Sequence, residues 1–205
     1  MIPLLTISDF QTHPFFIKDD TEFGNQEIEN IILFEQEKQL KNILGDIEYY
    51  NFANDYDTNT EAWQSQIWID FVNGADYIAD DITINWAGIK HVLKGFVYAE
   101  WLRHQGRKVT NLGVQQQISE NAANVNISFE YYGAINTAAE KSGADWVCES
   151  FMVKRRYDNY YKYNSDLKAK YKNTAFNFLY WYSQKDATVL TNWYFKQARK
   201  SVFGI

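Results

Sequence analysis

The 205-residue chain holds three histidines, His13, His91 and His104, and His104 follows Glu100 at the four-residue spacing that puts two side chains on one helix face. An acid and a base so placed could serve a hydrolase. The same pair at a helix C-terminus is also an ordinary exposed ion pair, favoured by the helix dipole, and that is the reading taken here. Asp80 and Asp81 offer too few oxygens for a hard cation, and capping of a following helix accounts for them. Asp55 and Asp57 in "NDYDTNT" resemble the start of a calcium loop, but its glycine and distal glutamate are missing. Cys148 is the only cysteine, so it can join no intrachain disulfide or cysteine zinc cluster, and no basic or histidine partner adjoins it to activate a thiolate. "GIKHVLKG" and "GVQQQIS" lack the glycine spacing and Lys-Ser/Thr ending that cradle phosphates. These residues predict no enzyme, no cofactor and no metal.

The elements that would carry them belong to a globular chain. Apolar residues make up 46%, charged residues 22%, and prolines number two, which excludes a disordered or collagen-like polymer. Aromatic residues reach 18%, more than a core of this size needs, and the surplus points to contacts with other molecules. No window supplies the run of about 20 apolar residues that a membrane helix requires, and "MIPLLTISDFQTHPFF" lacks the basic start and small-residue cleavage site of a signal peptide, so a soluble protein is expected. Charge is divided unevenly. Residues 151–205 hold eleven Lys or Arg against three Asp or Glu, a net of +8, which leaves −14 on residues 1–150. Such polarity lets copies of one chain meet acidic face to basic face.

Along the chain, "LLTI" reads as a short strand and Pro14 as a break. A helix follows, capped by Thr21 or Asn25, with Ile28, Ile31, Ile32, Leu40, Ile43 and Leu44 as its apolar stripe and Gly45 as its stop. "DIEYYNFAND" predicts a short helical turn, and "NTEAWQSQIWIDFVNG" a second helix, capped by Asn59 or Thr60 and ended by Gly74. "ITINWAGIKHVLKGFVYAEWLRHQG" predicts the central helix, in which Gly88 and Gly95, seven apart, would let another helix approach. Trp146, Ser150, Val153, Tyr157 and Asn164 keep helical spacing and predict a long helix over 144–171. "FNFLYWYS" and "TVLTNWYF", around "QKDAT", fit a hairpin or two short helices.

Between the central and last long helices lies "KVTNLGVQQQISENAANVNISF", nearly neutral and rich in amides. A connector of this length is usually a functional or a disordered segment, and residues 107–128 are expected to form an extended arm. Its backbone and its residues Val109, Thr110, Leu112, Val114, Gln116, Ile118, Asn121 and Val125 would pair with a neighbouring copy. Lys154, Arg155, Arg156 and Lys162 form a basic face for DNA or a partner. Trp181, Tyr182, Trp193 and Tyr194 are candidates for an aromatic interface. The expected fold is mainly α, a bundle of four to five helices with the arm and room for short β elements. Residues 1–165 would form the body and 166–205 an aromatic, basic extension packed on it or on a partner.

The order of segments resembles a known family. A helix ending "LKNILGDIEYYNF", then "IKHVLKGFVYAEWLRHQ", "VTNLGVQQQISENA" and a further helix is similar to the head–tail connector, or adaptor, proteins of tailed bacteriophages. The likeness covers about residues 6–165. It rests on Leu44-Gly45-Asp46, on the step from Val109-Thr110 to Gly113-Val114, and on "SENA" at Ser119–Ala122. The resemblance implies a virion structural protein without an active site. Its subunits, commonly twelve, form a ring beneath the portal after DNA packaging and link it to a tail or second neck protein around the DNA channel. It would be assembled in the bacterial cytoplasm and reside at the head–tail interface, open to non-specific contact with genomic DNA and to no membrane. A reading of another class is an aromatic-rich module that binds polysaccharide or peptide.

Overall fold

The computed structural model describes residues 4–11, 15–17, 22–79, 81–105, 108–110, 113–115, 127–143, 173–186 and 188–195. A 3-10 turn at Ile7–Phe10 precedes α1 (Glu22–Leu44) and α2 (Asp46–Asn54). Strands β1 (Tyr56–Asp57) and β2 (Ala62–Trp63) lead to α3 (Gln66–Asn73), then to β3 (Ala75–Ala79) and β4 (Ile82–Trp86). The central helix α4 (Ile89–Gln105), β5 (Lys108–Thr110), β6 (Gly113–Gln115), α5 (Ile127–Ser142) and α6 (Ala175–Lys185) complete the described elements. Each sheet is one antiparallel hairpin.

The mainly α bundle is therefore corrected to a mixed architecture of helices and β-hairpins. The decisive segment is 75–86. Its strands pair Tyr77 with Ile84 and Ala75 with Trp86, so every second residue of β4 can face inward, and Ile84 and Trp86 are buried. Sequence reasoning fused "ITINW" to the central helix because its isoleucines adjoin Ile89 and Val92. Gly88, at φ +86°, separates strand from helix, and a Cβ there would lie 2.5 Å from the Val72 carbonyl oxygen. Gly88 is thus a corner rather than a helix-packing site. Asp81 lies in the hairpin turn, at φ 60°, and not at a helix cap. The helix expected from Thr60 begins only at Gln66, because Ala62–Trp63 pairs with Tyr56–Asp57. "LLTI" forms no strand in its described residues, which run into the 3-10 turn.

The extended arm is corrected as well. Val109 pairs with Val114 and Thr110 with Gly113, so this part folds back on itself, and α5 has begun by Ile127. Leu112, Gln116, Ile118, Asn121 and Val125 lie outside the described residues, as does the helix expected over 144–171.

One core joins the elements. Phe71 of α3, Trp86 of β4 and Phe178 of α6 stack with interplanar angles of 21° to 29°, and Leu93 and Val97 of α4 are fully buried in the same cluster. The Trp86 indole N–H donates to the Phe71 carbonyl oxygen at 3.1 Å, satisfying one of the terminal carbonyls of α3. Asn177 donates to the Tyr77 hydroxyl at 2.7 Å, tying α6 to β3. On the other side of α4, Gly95 faces α5, where an added Cβ would come 2.8 Å from the Ala138 Cβ. Small buried residues, Ala134, Ala138 and Ala139, let these two helices pack closely.

Candidate functional site

The polar candidates resolve into structural bonds. Glu100 accepts from Arg103 and lies 3.3 Å from His104 Nε2, while His104 Nδ1 is 3.5 Å from Glu27 Oε1 on α1. The Glu100–His104 pair, read in sequence as an ion pair, thus sits in a partly exposed ion-pair network bridging two helices. Asp55 accepts from the backbone N–H groups of Gln64 and Ser65 at 2.9 and 2.8 Å, and from the Ser65 hydroxyl. It pins the C-terminal end of α2 to the start of α3, closing the base of the β1–β2 hairpin. Asp57 accepts from the Asn59 N–H at 2.8 Å, a bond that lowers its pKa. Among the described residues no three His, Cys, Asp or Glu side chains are placed to hold a metal. Cys148 is outside them.

His91 of α4 and Lys141 of α5 meet nitrogen to nitrogen across the helix interface. Partial burial, then the Lys141 and Lys94 charges, push the His91 pKa down. Neutral His91 can accept a hydrogen bond from the ammonium, which makes the pair a clasp between the two helices. Lys94 is also paired with Asp9, at 3.2 Å.

The C-terminal aromatics are divided between core and surface. Tyr182 is buried, with its hydroxyl 3.5 Å from Asp70, and Trp181 packs at 4.8 Å from the Tyr77 ring. Trp193 donates to the Ile43 carbonyl oxygen at 2.8 Å and stacks 4.9 Å from Phe176. Tyr194 is 62% exposed, while its backbone closes on Gly45. Of the proposed aromatic interface, Tyr194 alone leaves most of its surface to solvent. Lys154, Arg155, Arg156 and Lys162 lie outside the described residues.

The surface that sequence reasoning missed is apolar. On α1, Leu33 and Phe34 lie off the buried stripe and are exposed, Phe34 at 66%, and on α2, one turn apart, so are Ile47 and Tyr50. Lys38 lies 6.0 Å from the Phe34 ring, a loose cation–π contact. Phe34 was recognisable in sequence, since α1 already had a complete stripe through Ile28, Ile31, Ile32, Leu40 and Ile43. At the tip of the β3–β4 hairpin, Ile78 and Ile82 are exposed.

These features define an α/β body with exposed apolar side chains on its first two helices and on a hairpin tip. Comparison with protein-family models, with curated proteins and with solved structures gives no match. Among the described residues no helix is long and apolar enough to cross a membrane.

Proposed function

We propose that this chain is a structural subunit of a tailed-bacteriophage neck: a head–tail connector that assembles with copies of itself into a ring beneath the portal. In the virion the ring, of twelve copies as is common in the resembled family, would join the portal to a tail or second neck protein around the DNA channel. It would act by docking and not by catalysis.

The observation that carries this reading is the set of large apolar side chains left in solvent on α1 and α2. Scattered exposed apolar residues are normal, but Leu33 with Phe34 and Ile47 with Tyr50 recur within a turn on adjoining helices, as contacts with another subunit require. The sequence likeness supports it independently. Its Leu44-Gly45-Asp46 corner sets the entry of α2, with Gly45 at φ +77° and Leu44 fully buried. The mixed fold corrects the mainly α expectation and makes the Val109-Thr110 to Gly113-Val114 step a hairpin, while the Leu44-Gly45-Asp46 corner stands between two helices as the likeness implies. Val109, Thr110 and Val114, on a hairpin that pairs with no third strand among the described residues, keep the capacity to add a strand from a neighbour, and Lys154, Arg155, Arg156 and Lys162 can serve DNA or the partner.

Size-exclusion chromatography with light scattering, followed by negative-stain imaging, tests the proposal. Growth from monomer toward a closed ring with rising concentration is expected. A strict monomer at every concentration, coupled with saturable binding to a glycan panel, would replace the proposal with the ligand-binding module.

A further inference from the structure

Between Lys41 and Lys90 the chain has no Lys or Arg, while nine Asp or Glu occur there. This stretch builds α2, α3 and the first two hairpins; Glu48 is buried, while Asp46, Glu61, Asp76 and Asp81 are exposed. Within it the β3–β4 hairpin has an outer face left open among the described residues, with Asp76, Ile78, Thr83 and Asn85 all exposed, Ile78 at 64%, and the Asn85 amide donating to Asp76 at 2.8 Å. Asp81, in the turn, is exposed and has no hydrogen-bond or ion-pair partner among the described residues. The base of the hairpin is fixed by the Trp86–Phe71 and Tyr77–Asn177 bonds, so this face is held rigidly.

The complement is in the same chain. Residues 154–172 carry seven Lys or Arg against two Asp, with five tyrosines among them. Both ends of the segment containing them are placed by described residues: a Cβ on Gly143 would lie 2.7 Å from the Phe176 Cβ and 3.4 Å from the Thr174 hydroxyl. The chain therefore departs and returns at one point, one helical turn from Asn177, which holds Tyr77. From Tyr77 the hairpin tip is about 10–13 Å away. Half of the 144–172 segment spans up to about 50 Å when extended.

We infer that the outer face of the β3–β4 hairpin is the docking site of the chain's own basic, tyrosine-rich stretch 154–172 in the free subunit. Lys and Arg side chains meet Asp76 and Asp81, and tyrosine rings cover Ile78, which shares the outer face with Thr83. Attachment at both ends gives the stretch an effective concentration in the millimolar range, so modest contacts suffice and a second copy is outcompeted in dilute solution. The inference is independent of the neck reading.

Carbodiimide cross-linking of the full-length chain tests it, using an equal mixture of unlabelled and nitrogen-15-labelled copies at low concentration, read by mass spectrometry. Links from Asp76 or Asp81 to Lys162, Lys168, Lys170 or Lys172 are expected in peptides of a single isotope. Their yield should fall several-fold at high salt and in Ile78→Ser or Asp81→Asn, two exposed substitutions that leave the core intact. Mixed-isotope links would overturn the inference by assigning the stretch to a second copy. Lysines that react elsewhere but never with the hairpin would overturn it outright.

Discussion

Replacing Trp86 by Phe tests whether the β3–β4 hairpin is part of the core or an ornament on a helical bundle. Trp86 is 2% exposed and stacks on both Phe71 and Phe178, so a phenyl ring keeps the stack but loses the rest of the indole. The lost ring area, roughly 40 Å², costs about 1 kcal/mol. The Phe71 carbonyl oxygen, buried beneath it, loses its donor, which costs about 1–3 kcal/mol more. A total near 2–4 kcal/mol is expected. Trp63 supplies the control, because its indole nitrogen is buried with no hydrogen-bond partner among the described residues. Trp63→Phe sheds the same area while removing an unsatisfied donor, so its loss should be about 1 kcal/mol or less. Guanidinium unfolding followed by far-UV circular dichroism gives both values, provided the denaturant slope is unchanged. Equal losses at the two positions, or less than about 0.5 kcal/mol at Trp86, would refute the reasoning.

Three further outcomes follow from the same contacts. Gly45→Ala should lose more than about 2 kcal/mol in the same unfolding assay, since Gly45 combines φ +77° with ψ 164° and an added Cβ would lie 2.8 Å from the Tyr194 carbonyl oxygen. Asp55→Ala should cost about 1–3 kcal/mol, because the backbone N–H groups of Gln64 and Ser65 lose a charged acceptor; a neutral result would show that water replaces it freely. His91 has a folded-state pKa below its ordinary value of 6.5, so the unfolded chain binds its proton first as pH falls. Its contribution is complete above pH 6.5 and declines as pH falls toward the depressed value. His91→Gln should flatten the thermal-melt profile in that interval, and an unchanged profile would remove the clasp with Lys141.

Much of the helical framework was legible in sequence because local rules act there without competition. The stripe from Ile28 to Leu44, the stop at Gly45 and the end of α3 at Gly74 depend on periodicity and glycine geometry alone. The hairpin was not legible as such, because the isoleucines of "ITINW" continue smoothly into Ile89 and Val92 when read at helical spacing. Asp81, which joins the paired strands, reads equally well as a helix cap in sequence, since aspartate suits both positions. α5 escaped for another reason. Its buried side against α4 includes Ala134, Ala138 and Ala139, which are too small to make a conspicuous apolar period, and only the facing Gly95 explains why small residues are needed. The candidate surface was half legible: Phe34 stands off a completed stripe, but exposure of Ile47 and Tyr50 depends on how α2 turns at Gly45.

Assembly through that surface is the central claim, and sedimentation velocity of the native chain beside a Phe34→Ser/Tyr50→Ser variant tests it most directly. Both changes lie in solvent and should leave the circular dichroism and the unfolding midpoint close to native. The native chain is expected to shift from monomer to a large discrete species between micromolar and near-millimolar concentration, while the variant remains monomeric. Identical sedimentation of the two proteins, whether both assemble or neither does, would contradict the account.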